Sequence, residues 1–232
     1  PSHLPYSIDR NQQPEIAQQV PTLAEMMRRA LSTLEQNRHG FLLQVEGGRV
    51  DHGGHGNDVG AIVHDQLAFD ECIAVAREYT QQHPETLVIV TTDHGCGGCQ
   101  LNGVGSGYRD TDQTFFAGID AIGASYEHLQ SVVSSMDADQ FKALVQQRLQ
   151  VEIDEKRQQQ LVVARAKGGY EVANLLRSWH DSYARTGVNW TSGNHTGEFV
   201  ELCAWGPGSA AIGQWIRNTD LHPVIGRALQ LS

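Results

Sequence analysis

Hydrophobic residues recur along this chain in two patterns. Between residues 23 and 34, and again between 58 and 82, apolar side chains return every three or four positions, which predicts two helices with a buried face. Short apolar runs at 41–46, 87–92 and 199–205 are typical of buried strands, and the run 41–46 is apolar on both faces, as expected of a parallel strand that helices cover on both sides. A strand, a helix and a second strand in this order predict a right-handed crossover and parallel pairing. We therefore expect an α/β fold with a mostly parallel central sheet flanked by helices.

Glycine content and polarity predict how the rest of the chain is organised. Residues 1–20 are polar and irregular, so we expect an extended arm or loop, and the glycine- and histidine-rich segment 47–57 predicts a second loop. The segment 104–188 has a different, helical composition and is interpreted as a helical insertion that forms a crown or lid. It separates two parts of the α/β core, residues 1–103 and residues 189–232.

Composition and charge exclude two classes of partner. The chain has 232 residues and a net charge of −10, and its basic residues form no cluster longer than Arg28–Arg29. Nucleic-acid binding is therefore excluded, because phosphate backbones recruit clustered Lys and Arg. No apolar stretch approaches the ~20 residues of a membrane span. The chain shows no signal segment and begins with Pro1, so we expect any such segment to lie upstream.

The four cysteines leave several interpretations open. Four are too few for a disulfide scaffold. The pair Cys96 and Cys99 is compatible with a redox pair, a local disulfide, a metal-binding pair or two structural thiols. We favour the structural or disulfide interpretation, because a lone pair with this spacing is a weak signal. One alternative function for the chain is therefore a non-catalytic metal-binding or redox module built on these two thiols.

Carboxylates and imidazoles lie at the ends of the three apolar runs. Asp51 and His55 are four residues apart, and on one helical turn or in a compact loop this spacing brings them to the same side. Asp93 and His94 are neighbours, so they converge only if the chain turns after the second run. His195 lies in a glycine-containing loop just before the third run. Oxygen and nitrogen ligands of this kind, gathered at one edge of a parallel sheet, predict a divalent metal site.

The number of such residues predicts more than one ion. Three protein ligands with an open fourth position are typical of a catalytic zinc site. Asp93 and His94 are left for a second ion. The carboxylate of Glu46 offers oxygen ligands, which suit magnesium. Two neighbouring cations suit a phosphoryl transfer, because they bind the attacking and the leaving oxygen.

Three motifs in order, at 45–55, 90–94 and 195–197, resemble the carboxyl-terminal half of alkaline phosphatase. The resemblance extends over residues 5–102 and 189–230. It implies a phosphomonoester hydrolase with two zinc ions and one magnesium ion on a mostly parallel sheet, usually a homodimer and exported to the periplasm or the outside of the cell. By motif, it implies that the first zinc is bound by Asp51, His55 and His195, the second zinc by Asp93 and His94, and magnesium by Glu46.

Other residues carry less of this resemblance. His52 lies where the family places a residue near the phosphate or the third metal ion, and Arg49 is interpreted as structural. The nucleophilic serine of the family has no match here, and neither do its phosphate-clamping arginine and its metal-bridging aspartate. All three belong to an amino-terminal half, so we expect this chain to be a fragment whose missing half is its partner, and to be inactive alone.

The resemblance implies in-line attack by a serine on a phosphate monoester, followed by hydrolysis of the phosphoseryl intermediate. The alternatives within the superfamily are a sulfatase, a phosphodiesterase or a phosphonate hydrolase. Glu46 and the run 47–52 favour the monoesterase.

Overall fold

The computed structural model describes residues 3–102, 109, 112–180 and 186–231, without the side chain of His180. Helices dominate this part of the chain, and we number them in chain order as α1 (Ser7–Gln12), α2 (Pro14–Gln19), α3 (Leu23–Leu34), α4 (Gly48–Gly56), α5 (Val59–Gln82), α6 (Thr114–Asp120), α7 (Tyr126–Val132), α8 (Ala138–Leu149), α9 (Glu155–Lys167), α10 (Gly169–His180) and α11 (Leu221–Ala228). The strands are short: β1 (Val88–Thr91), β2 (Gly95–Cys96), β3 (Gln100–Leu101), β4 (Val188–Asn189), β5 (His195–Thr196) and β6 (Leu202–Trp205). The predicted helices near 23–34 and 58–82 and the strand near 87–92 are confirmed.

Strand pairing differs from the expected sheet. The strands of the described residues form three two-stranded pairs, β1 with β6, β2 with β5 and β3 with β4. In the first pair Val88 lies opposite Trp205 and Thr91 opposite Leu202, and this pair and the β3–β4 pair are both antiparallel. The mostly parallel sheet is therefore not confirmed.

The segment 41–46 is not the doubly covered strand that its composition predicts. It forms no regular strand in the structure. Phe41, Leu43 and Val45 pack against the apolar cluster of α3 and α5, whereas Leu42 between them is 64% exposed. The prediction of two buried faces was wrong because helices cover only one face, and alternate side chains of an extended chain point to opposite sides.

The chain divides into two compact units. The first consists of Pro1–Val20, Gly48–Asp65 and Cys96–Thr196. Its core is the packing of α6–α10 with the first residues of the chain, and Phe141, Leu129 and Leu176 are fully buried there. Tyr6 and Ile8 join this core, so the expectation of an extended arm at 1–20 was wrong.

The second unit consists of Pro21–Gly47, Gln66–Gly95 and Gly197–Ser232. Thr22 starts α3 with a capping box, in which its hydroxyl accepts from the Glu25 amide at 3.1 Å while the Glu25 carboxylate accepts from the Thr22 amide at 2.7 Å. One face of α3 packs on Cys72 and Val75 of α5. The other apolar residues of the predicted stripe instead line an open surface depression: Met26, Ala30 and Leu34.

The three predicted segments, 1–103, 104–188 and 189–232, stay a prediction. The boundary at 103–104 lies outside the described residues. Within the part of the chain that the structure describes, no helix combines the length and the hydropathy needed to cross a membrane.

Candidate metal centre

Helix α4 carries three of the predicted site residues and occupies a segment predicted to be a loop. Its sequence, GRVDHGGHG, is a poor helix former because glycine loses more backbone entropy on ordering than other residues. Close packing holds it instead. A Cβ atom on Gly53 would lie 2.8 Å from Cγ1 of Ile62, and one on Gly54 would lie 2.8 Å from Cβ of Cys96. The glycines thus allow α4 to lie against α5 and against the turn that begins at Cys96.

Asp51, His55 and His195 converge at this helix. The spacing of four residues places Asp51 one turn before His55, and their Oδ2 and Nε2 atoms lie 3.6 Å apart. Nε2 of His195 lies 3.6 Å from Oδ1 of Asp51 and 3.1 Å from Nε2 of His55. Asp51 and His195 are 144 positions apart in the sequence. The fold nevertheless brings all three predicted ligands together within the first unit.

Backbone hydrogen bonds hold the His195 loop beside α4. The Gly97 amide donates to the carbonyl of Asn194 at 2.9 Å, and the Gly97 carbonyl accepts from the Thr191 amide at 3.0 Å. At the end of α4 the Asn57 side-chain amide donates to the carbonyl of Ser192 at 2.8 Å. Gly97 has a φ of 74°, a conformation that glycine adopts without strain.

A hydrogen bond at Nδ1 orients the ring of His55. Nδ1 of His55 lies 2.7 Å from the carbonyl oxygen of Gly193. A carbonyl only accepts, so Nδ1 carries the proton and Nε2 of the neutral ring keeps a lone pair. A metal-ligating histidine is usually fixed in this way.

Cys96 is the residue of this cluster that sequence reasoning missed. Its sulfur and the ligand atoms of Asp51, His55 and His195 all lie within 4.8 Å of one another. Burial, together with a hydrogen bond to Asp51 and the charge of that carboxylate, raises the pKa of the thiol to about 11. Cys96 and Cys99 are not joined by a disulfide in the structure. The signal in the sequence was the position of Cys96, two residues after the predicted ligand His94.

The cluster fits a divalent cation. Zinc binds nitrogen and oxygen at about 2.0–2.2 Å, which sets tetrahedral ligand atoms roughly 3.3 Å apart. The two Nε2 atoms lie 3.1 Å apart, and each lies 3.6 Å from a carboxylate oxygen of Asp51, His55 from Oδ2 and His195 from Oδ1, so each separation is close to this spacing. Oδ1 of Asp51 is buried and has no hydrogen-bond partner among the described residues. A buried carboxylate oxygen of this kind is costly unless it binds a cation or a donor.

Asp93, His94 and Glu46 belong to the second unit. The chain turns after β1 as predicted, and Nε2 of His94 lies 3.3 Å from Oδ2 of Asp93. Nδ1 of His94 lies 3.2 Å from the carbonyl oxygen of Gly95, which leaves Nε2 as the acceptor or ligand atom. Glu46 is exposed just before α4. The roles of these three residues at further metal ions stay predictions.

His52 has a partner that selects its tautomer. Nη1 of Arg49 lies 2.8 Å from Nδ1 of His52, and because a guanidinium only donates, the proton of the neutral ring is on Nε2. Burial and the charge of Arg49 lower the pKa of His52. Arg49 itself is buried, pairs with Glu127 at 2.8 Å and lies 3.6 Å over the ring of Tyr6. These contacts agree with the structural role predicted for Arg49.

A cavity of about 310 Å³ adjoins these residues within the first unit. Arg49, His52, His55, Glu127 and Arg177 are among the residues that line it. The Nε atoms of Arg49 and Arg177 are buried without a hydrogen-bond partner among the described residues. Two arginines, Arg49 and Arg177, therefore line a cavity that also borders His55 of the candidate metal centre.

Comparison with known proteins decides the family of the chain. A profile of the alkaline phosphatase family matches residues 1–231. The chain belongs to the alkaline phosphatase family. Its structural similarity agrees with this assignment: the alkaline phosphatase of Thermus thermophilus superimposes with a TM-score of 0.85 and 32% identity, over 99% of this chain and 51% of that one. The cold-active enzyme of a psychrophilic Shewanella gives a TM-score of 0.80 and 29% identity, over 99% of this chain and 53% of that one.

Curated relatives give the same alkaline phosphatase assignment. Alkaline phosphatase 3 of Bacillus subtilis is 29% identical over 98% of this chain and 47% of its own length. Streptomycin-6-phosphate phosphatase of Streptomyces griseus is 44% identical over 32% of this chain and 18% of its own length. The chain spans about half the length of the full-length relatives that it matches. An alkaline phosphatase-like fold and a metal-dependent phosphatase family are thus assigned to it.

Proposed function

We propose that this 232-residue chain forms the metal-binding half of a phosphate monoester hydrolase. In this proposal Asp51, His55 and His195 hold one zinc ion, Asp93 and His94 hold a second, and Glu46 binds magnesium. The observation that carries the proposal is the convergence of Asp51, His55 and His195, in which the nearest nitrogen and oxygen atoms of each pair of residues lie 3.1–3.6 Å apart. Bound cations would supply charge neutralisation for the phosphate oxygens of the substrate.

The protein's own groups near the metal centre suit a phosphate ester. The neutral ring of His52 offers its Nε2 proton as a hydrogen-bond donor, because Nδ1 already accepts from Arg49. This tautomer favours a place for His52 beside the phosphate rather than on a metal ion. Arg177 adds a guanidinium to the wall of the adjoining cavity, where it would bind phosphate oxygens or a charged leaving group.

The reaction also needs a nucleophile, which we assign to a serine outside these 232 residues. The support is the family assignment together with the finding that the sequence has no match to the family's nucleophilic serine. The family resemblance further supports a homodimer, a location in the periplasm or outside the cell, and an amino-terminal half that carries the serine.

Metal analysis and ester hydrolysis test the proposal. The 232-residue chain is expected to bind zinc and to hydrolyse no p-nitrophenyl phosphate alone, whereas the same residues in a polypeptide that carries the serine are expected to hydrolyse it. Turnover by the 232-residue chain without any serine-bearing partner would contradict the assigned nucleophile.

The ester used as substrate distinguishes the superfamily activities. The polypeptide that carries the serine is assayed with p-nitrophenyl sulfate and bis(p-nitrophenyl) phosphate beside the monoester, under the same metal loading. Preference for the sulfate ester or the diester would replace the monoesterase by a sulfatase or a phosphodiesterase.

A further inference from the structure

The backbone holds Cys96 next to the three predicted ligands of the first metal ion. Strand β2, which ends at Cys96, pairs with strand β5, which begins at His195. The following residue, Gly97, donates its amide to the carbonyl of Asn194 at 2.9 Å. Strand pairing and this hydrogen bond therefore hold the backbone of Cys96 close to that of His195.

Helix α4 fixes the thiol from the other side. A Cβ atom on Gly54 would lie 3.0 Å from Sγ of Cys96 and 2.8 Å from its Cβ. Gly54 lies between Asp51 and His55 in sequence, on the helix that carries both. Because glycine has no side chain, position 54 leaves room for the sulfur of Cys96 on the face of α4 that carries Asp51 and His55.

We propose that Cys96 is a fourth ligand of the cation held by Asp51, His55 and His195. This rests on the proposed function of that site and adds to it a sulfur ligand from a different part of the chain. Zinc accepts mixed oxygen, nitrogen and sulfur ligands, with a Zn–S bond of about 2.3 Å. On binding, the S–H bond is replaced by a sulfur–metal bond and the proton passes to solvent, so no oxidant or reductant is involved.

In this proposal Cys96 and Cys99 have different roles. Cys99 is exposed, and it is not among the residues whose ligand atoms cluster with Cys96. The sulfur ligand therefore acts with two histidines and a carboxylate rather than with its neighbour in sequence. With four protein ligands, a substrate oxygen would bind as a fifth ligand, a coordination number that zinc reaches in some catalytic sites.

Cobalt(II) spectroscopy of the 232-residue chain tests this ligand. The wild type is expected to show thiolate-to-cobalt charge-transfer absorption in the near ultraviolet together with visible ligand-field bands. Cys96→Ser is expected to lose the charge-transfer absorption and keep the ligand-field bands, while the matched control Cys99→Ser keeps both. Charge-transfer absorption that survives Cys96→Ser, or ligand-field bands without it in the wild type, would overturn the proposal.

Alkylation of the wild type provides a second readout that needs no substitution. One equivalent of zinc is expected to protect Cys96 from iodoacetamide while Cys99 and Cys203, both exposed, react at an unchanged rate. Equal reactivity of Cys96 with and without zinc would also overturn the proposal. Failure of the whole metal site is distinguishable, because His195→Ala would then leave cobalt binding unchanged.

The affinity for zinc gives the size of the effect. Cys96→Ser is expected to weaken zinc binding by roughly 10-fold or more, because the loss of a partner that only orients a ligand already costs 10–100-fold. An unchanged affinity in competition with a chromophoric chelator would contradict direct ligation.

Discussion

A histidine side chain becomes a good metal ligand through the hydrogen bond on its other ring nitrogen. In His55 the Gly193 carbonyl holds the proton on Nδ1, and the lone pair of Nε2 is then available 3.1 Å from Nε2 of His195. The two rings face each other through their Nε2 atoms. If both Nε2 atoms carry only a lone pair, neither ring can donate a hydrogen bond to the other. A cation between them, or a proton on His195, resolves this arrangement.

The first prediction removes one of these imidazoles. We expect His55→Ala to weaken zinc binding by more than the roughly 10–100-fold that the loss of an orienting partner costs. The control is His222→Ala, which removes an exposed histidine on α11 of the second unit. Isothermal titration of both variants with zinc measures the difference, and equal affinities would exclude His55 as a ligand.

The second prediction concerns a carboxyl group away from the metal centre. Burial raises the pKa of Asp65, although its hydrogen bonds from the amide and hydroxyl of Ser7, at 3.1 and 3.0 Å, and the charge of Arg49 lower it, while the charge of Asp9 adds to the rise. A raised pKa in the folded state means that this group favours folding below about pH 4, its ordinary range, and that this contribution is lost as the pH rises through the folded pKa. Asp65→Asn does not titrate, so its stability relative to the wild type should increase as the pH rises from 4 to 7.

Urea unfolding of the metal-free chain at several pH values measures this relative stability. The matched control is Asp137→Asn, which changes an exposed carboxyl at the start of α8. A difference between Asp65→Asn and the wild type that stays constant or decreases with pH would contradict the raised pKa.

At the scale of one element, helix α4 depends on glycines that differ in what surrounds them. The third prediction compares Gly54→Ala with Gly56→Ala. A methyl group at 54 would overlap Cys96, whereas one at 56 would meet only Cβ of Asp58 at 3.7 Å, an ordinary contact. We expect Gly54→Ala to lower the free energy of unfolding by about 1–3 kcal/mol. Gly56→Ala should leave it unchanged or raise it by up to about 1 kcal/mol.

Chemical denaturation of both alanine variants measures these free energies. Cobalt spectra recorded on the same samples should change for Gly54→Ala and not for Gly56→Ala. Equal stability and equal spectra would show that Cys96 does not lie against α4.

The fourth prediction concerns the junction of two helices in the first unit. Asp58 precedes α5; its Oδ1 accepts from the Ala61 amide at 3.0 Å and its Oδ2 from the Tyr126 amide, at the start of α7, at 2.7 Å. Asp58→Ala removes a helix cap worth about 1 kcal/mol and leaves a buried amide without an acceptor at a further cost of about 1–3 kcal/mol. The control Asp137→Ala removes only an exposed cap and should cost about 1 kcal/mol. Equal losses in urea unfolding would contradict the double role of Asp58.

Helix α4 also marks the limit of prediction from periodicity. Helices α3 and α5 follow from apolar spacing, because burial of one face both creates the pattern and stabilises the helix. Helix α4 has no such pattern and four glycines, so its tertiary contacts, such as those with Ile62 and Cys96, explain it rather than its sequence pattern. The segment 41–46 was mispredicted for a different reason: apolar composition does not reveal how many faces of an extended segment are covered, and helices cover only one face here. The sequence pairs Cys96 with Cys99 by spacing, whereas its contact with Asp51, His55 and His195 depends on the fold of segments far apart in sequence.

At the scale of the whole molecule, the predicted ligands are divided between the two units. Asp51, His55 and His195 belong to the first, and Asp93, His94 and Glu46 to the second. The first ligand set comes from two segments that lie far apart in sequence, α4 and the loop before β5. A cation bound there would therefore contribute stability to the long-range pairing of the first unit, since a ligand that binds only the folded state stabilises it by mass action.

The fifth prediction follows this stabilisation along the backbone by hydrogen exchange. At a free zinc concentration 100-fold above the dissociation constant, the expected gain is about 2.7 kcal/mol, which corresponds to roughly 100-fold slower exchange of amides that open with the site. The amides concerned are those of Gly97 and Thr191, which link the Cys96 turn to the His195 loop. His195→Ala should abolish the effect, and unchanged exchange of these two amides in wild type saturated with zinc would contradict a cation at this position. The amides of the β1–β6 ladder report on the second unit, so slower exchange there in the His195→Ala variant would locate a separate ion at Asp93 and His94.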